Sequence, residues 1–153
     1  MLVFAFAAAS LARCPVEHAH YSLRNNPDIT AYFRQVNSGS NWPSGLALAI
    51  HHKSSGKTFW WLPWVGGTDG LQNMASTEDV TKKGWRPPSP DDGPRPYGDR
   101  QYLGTDAGYN IISDWLRRGT IAPAHMLFPN SASARDTVFP TKQFFDLVSC
   151  AAS

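Results

Sequence analysis

The sequence predicts an α+β fold: one small domain with a mainly antiparallel sheet of about five or six strands and one or two helices packed on it. Three observations predict it. Leu46, Leu48 and Ile50 alternate with Ala47 and Ala49 and are followed, at hairpin distance, by the aromatic run Thr58-Phe59-Trp60-Trp61-Leu62. Twelve glycines and twelve prolines interrupt any long helix. The stretch Ala107 to Arg118 nevertheless carries Ile111, Ile112, Trp115 and Leu116 at helical spacing. With 153 residues, 42% of them hydrophobic, the chain is long enough to bury roughly 68–70% of its unfolded surface in a single core.

Taken in order, Met1 to Ala12 hold an apolar run from Leu2 to Ala9 followed by Ser10-Leu11-Ala12, with small residues three and one before a possible cut, the pattern of a secretory signal peptide, although no basic residue precedes the run. Such a run is too short to span a hydrocarbon core of about 30 Å. Residues 13–153 then form the domain. Cys14 and Cys150 are the only cysteines, and their place at the two extremes of an exported domain predicts one disulfide joining its ends. Export and the bridge together imply a periplasmic or secreted protein.

Val16 to Leu23 and Ile29 to Val36 read as two β-rich segments joined by the turn Asn25-Asn26-Pro27-Asp28, a hairpin. A loop rich in Ser and Gly leads to the strand at Leu46, and Lys53 to Lys57 connect it to Thr58–Leu62. Pro63 cannot donate to a ladder, so regular pairing is expected to stop there or to bulge. Gly66-Gly67-Thr68-Asp69-Gly70 turns the chain, and Leu71 to Val80 starts as a strand and ends in a short helical turn near Ser76, Thr77 and Glu78. Arg86 to Tyr97 contains five prolines and no apolar period, the mark of an extended surface loop. After a strand at Gln101-Tyr102-Leu103, Thr105 or Asp106 caps the expected helix, Arg117 and Arg118 suit its C-terminal end and Gly119 stops it. Thr120 to Phe128 is extended, Ser131 to Asp136 is a polar loop, and Thr141 to Ser149 fits a short helix slightly better than a strand.

Fourteen basic and twelve acidic side chains are mixed along the chain, which gives no electrostatic footprint for nucleic acid. His18 and His20 share a strand face, and His51 or His52 lies at a hairpin end, but no HExxH pattern accompanies them and no metal or other cofactor is assigned. No Gly-x-Ser-x-Gly turn is present. Asp69, Asp99, Asp106 and His125 are the acid–base candidates of a hydrolase reading.

Six tryptophans, at 42, 60, 61, 64, 85 and 115, are the most informative residues. Trp60 or Trp61 and Trp115 are expected in the core. Trp64 and Trp85 lie beside loops, flanked by Asp69, Gln72, Asn73 and Arg86. Flat rings with polar neighbours compose a surface for a glycan or a proline-rich peptide. A binding module using those six residues is therefore the leading reading. A hydrolase drawing Asp and His from the same loops stands second, beside a structural or inhibitory protein that docks by its proline loop.

Overall fold

The computed structural model describes residues 11–65, 72–129 and 141–151. Residues 1–10 of the expected leader, the glycine turn with Asp69, and the segment holding Ser131 to Asp136 lie outside them. Eight strands follow one another: β1 (Ala19–Leu23), β2 (Ile29–Gln35), β3 (Leu46–His52), β4 (Lys57–Val65), β5 (Gln72–Thr77), β6 (Asp99–Thr105), β7 (His125–Leu127) and β8 (Phe144–Cys150). Each pairs antiparallel with the next, and β8 returns to β1, closing a barrel. The α+β expectation is thereby corrected. Among the described residues the only helical segments are two three-residue 3-10 turns, Leu11–Arg13 and Val16–His18.

Two segments account for the difference. At the expected cap, the Asp106 carboxylate accepts the backbone N–H groups of Gly108 and Asn110 at 2.8 and 2.9 Å and the Asn110 side chain as well. Tyr109 sits at φ 63°, and Ile112 N–H returns to the Gly104 carbonyl at 2.9 Å. The cap residue has thus built a closed turn in place of a helix, and an isolated twelve-residue helix is marginal without tertiary support. At the C-terminus, Phe144, Phe145, Leu147 and Val148 are apolar on both sides of the chain, a run whose period does not separate helix from strand. The barrel decides for strand, because β1 and β7 would otherwise each present an unpaired edge.

The hairpins anticipated at Val16–Val36 and Leu46–Leu62 form, with Leu48 opposite Trp61 and Ile50 opposite Phe59 in the second. The β3–β4 ladder stops at Trp61, short of Pro63, whereas pairing with β5 runs on to Val65. Alternation sends Leu46, Leu48, Ile50 and Trp61 inward, where they join Tyr21, Phe33, Met74, Tyr102 and Phe145 in the interior core. An eight-stranded barrel is just wide enough for side chains to fill. Arg100 is buried there to 1% exposure and stacks its guanidinium over the Trp61 indole at 5.5 Å; burial lowers its pKa.

A second apolar cluster lies on the outer wall. Trp60, Leu62 and Ala75 face out of the barrel, and Trp42, Val80, Trp64 and Trp85 pack over them. The alternating Ala47 and Ala49 leave room for these rings. The Cys14–Cys150 disulfide forms, with Cα atoms 5.7 Å apart, consistent with an oxidising setting. It ties the end of β8 to an N-terminal segment whose Val16 N–H bonds Thr120 O and whose Cys14 carbonyl accepts from Ala122 N–H. No helix among the described residues is long and apolar enough to cross a membrane.

Candidate functional site

The proline-rich segment leaves the far end of β5 and runs back along the outer wall over β4. Arg95 makes this possible. Its Nη1 donates to Gly93 O (3.1 Å) and Pro94 O (3.3 Å), and its Nη2 donates to Ser89 O (3.3 Å) and Pro90 O (3.0 Å). Nε pairs with Asp99 at 3.3 Å, and the guanidinium lies 5.3 Å from the Trp42 ring. Trp42 Nε1–H in turn donates to Pro88 O at 2.9 Å. One planar cation with five donors thus gathers four carbonyls of the turn, of which Ser89 O also accepts Gly93 N–H at 3.0 Å. A Cβ at Gly93 would fall 2.5 Å from Ser89 O, so this turn requires glycine. Arg95→Ala is expected to raise amide exchange at residues 89 and 91–93 by at least tenfold while the barrel amides stay protected, and Arg95→Lys is expected not to restore protection. Hydrogen-exchange mass spectrometry checks both.

Held in this way, Pro90 and Asp91 form one wall of a cleft of about 470 Å³ whose other sides are Asn41, Trp42, Trp64 and Trp115. Trp42 is the floor at 2% exposure, and Trp64 and Trp115 are half-buried walls. Four chain segments meet there: the β2–β3 loop, the end of β4, the proline loop and the β6–β7 loop. Among the described residues the buried Trp64 indole N–H has no acceptor. Arg117 stacks on Trp115 at 5.6 Å.

Trp115 is held from inside the barrel. Gln72 points inward at the mouth, its Nε2 donating to Asp114 O at 3.0 Å and its Oε1 accepting Leu116 N–H at 2.8 Å. The carboxamide therefore clamps the backbone on both sides of Trp115, while Leu116 seats in the interior core. Of the six candidates from the sequence, Trp64 lines the cleft and Asn73 stands opposite it in the β4–β5 ladder. Gln72 spends its amide on the clamp. Trp85 packs farther along the wall, its indole N–H on Thr77 Oγ1 at 3.3 Å, and Arg86 is exposed beside it. Asp69 lies outside the described residues. Trp42, Asn41, Asp91 and Trp115 were not anticipated as site residues; the helical spacing had assigned Trp115 to the core.

No protein family, curated protein or solved structure matches the chain. The cleft has to be read from its own chemistry.

The acid–base candidates separate. Asp99 pairs with Arg95 and Asp106 is committed to its turn. His125 finds a residue the sequence did not single out: its Nδ1 lies 2.7 Å from Asp146 Oδ1. Arg24 grips the same carboxylate through Nε and Nη2, both at 2.8 Å, and reaches Tyr109 OH at 2.6 Å. Tyr109 stacks on the His125 ring at 4.3 Å and 3°. The bonds from Arg24, then that from His125, hold the Asp146 pKa below its ordinary 3.8. A depressed carboxylate stabilises the fold above its unfolded pKa, and this contribution is lost as pH falls through the folded value. The Tyr109–His125 stack is therefore expected to survive at pH 4 and to release only below it, as followed by the Tyr109 ring resonances. Among the described residues no group of three or more His, Cys, Asp or Glu is placed to hold a metal ion.

Proposed function

We propose that the protein is a non-enzymatic binding module of the periplasm or extracellular space that recognises a saccharide in the cleft between Trp64 and Trp115. The carrying observation is that two half-buried indoles wall a 470 Å³ cleft bearing Asn41 and Asp91. Pyranose rings present apolar C–H faces that pack on indoles, and their hydroxyl edges need a small number of carboxamide and carboxylate partners. The volume lies within the range for small-molecule sites, of about 300–1,000 Å³. The Gln72 clamp and the Arg95 staple supply the pre-organisation that keeps the ordering cost of binding low.

Titration of gluco-, manno-, xylo- and N-acetylglucosamine oligosaccharides, followed by tryptophan fluorescence, tests the reading. The expected result is a saturable blue shift with one series. Silence across all four, with a shift produced by a proline-rich peptide, would replace the saccharide by a peptide ligand.

A further inference from the structure

A second cleft lies away from the tryptophans, on the wall where β7, β8 and the β6–β7 loop meet. It encloses about 460 Å³ and is walled chiefly by Leu11, Ile112, Ile121 and Leu147, with Asp106 and His125 as the polar ones among the described lining residues. Ile121 is 62% exposed and Leu11 42%, large apolar side chains left open where a soluble surface would ordinarily cover them.

The two polar residues are not equivalent. Both oxygens of Asp106 already accept, from Gly108, from the Asn110 backbone and from the Asn110 side chain. His125 has one nitrogen committed. Because Asp146 is held in its ionised, acceptor-only form, the Nδ1 facing it carries the proton. Neutral imidazole then presents Nε2 as an acceptor, and Nε2 has no hydrogen-bond partner among the described residues while 17% of the side chain stays open. The ring cannot turn away: Tyr109 lies flat on its face and Phe144 meets its edge at 6.2 Å. The described residues lining the cleft include no Ser, Thr or Cys, so among them the Asp146–His125 pair meets no side-chain nucleophile. What it offers is one acceptor on a ring that Asp146 and Tyr109 hold in place, in a residue that lines an apolar cleft.

We propose that this cleft is a second ligand site, for a small apolar molecule bearing one hydroxyl group, an alcohol or a phenol, whose O–H donates to His125 Nε2 while its hydrocarbon body packs on Ile112, Ile121 and Leu147. The site is independent of the tryptophan cleft, and neither reading depends on the other.

The test uses 2-naphthol and 2-methoxynaphthalene, which share a hydrocarbon body and differ in the donor. Binding is read by methyl NMR shifts of Ile121 and Leu147. Saturable 2-naphthol shifts at these methyls are expected, with 2-methoxynaphthalene about tenfold weaker. His125→Phe should erase the difference between the two probes. Ile121→Glu, at an exposed position that leaves the barrel core untouched, should weaken both at least tenfold. Absence of saturable shifts at these methyls up to the solubility limit would overturn the proposal, and so would equal affinity of the two probes for the unaltered protein.

Discussion

Trp115→Ala is expected to weaken saccharide binding at least thirtyfold without unfolding the protein. Truncating a central aromatic in a desolvated site costs about 2 kcal/mol or more, which corresponds to roughly thirtyfold in affinity. The barrel should tolerate the change, because Trp115 is a half-buried loop residue whose backbone Gln72 holds at Asp114 and Leu116. Gln72→Ala provides the companion measurement. It touches no ligand in this reading, so it should slacken the loop and reduce affinity by a smaller factor, with raised amide exchange at 114–118 as its separate signature. Fluorescence titration of both variants, with circular dichroism to confirm the fold, checks the pair. Unchanged affinity in Trp115→Ala would end the assignment of this cleft.

Breaking the Cys14–Cys150 bridge is expected to lower thermal stability by about 5–15 °C. The bridge closes a loop across a sequence separation of 136, and native disulfides over such loops contribute about 2–4 kcal/mol, chiefly by restricting the unfolded chain. In a domain of this size each kcal/mol moves the midpoint by about 2–4 °C. The folded state also loses an anchor. Residues 14–16 pair with residues 120–122, next to the wall that carries His125, so amide protection at Val16 and Ala122 should fall first. Melting with and without reductant, beside a Cys14→Ala/Cys150→Ala variant, measures the midpoint, and coincident curves would refute the expectation.

What could be read from the sequence and what could not divide along the range of the interactions. The β3–β4 hairpin was legible because Leu46, Leu48 and Ile50 alternate with alanine and a short polar turn precedes the aromatic run. The bridge was legible because only two thiols exist. The proline loop was legible as irregular backbone, yet its path along the wall rests on Arg95 reaching four carbonyls and one Trp42 ring, none of which a local pattern announces. Asp106 shows the same limit from the other side: as an N-cap or as the centre of a closed turn it uses the same carboxylate, and only the position of β7 and Tyr109 selects the turn. Gln72 and Asn73 are neighbours in sequence, but strand alternation sends one into the barrel mouth and the other to the outer wall beside Trp64.

By itself, then, the sequence determined the local strands of the first half, the covalent link between the ends, and the concentration of indoles from which a site would be drawn. Only the tertiary structure decided that the sheet closes on itself, because closure depends on the register summed over eight strand pairings and no single segment carries it. For the same reason only the folded chain brings Trp42, Trp64 and Trp115 to one cleft and Asp146 to His125. These residues come from segments far apart in the chain, and their meeting is a property of the barrel.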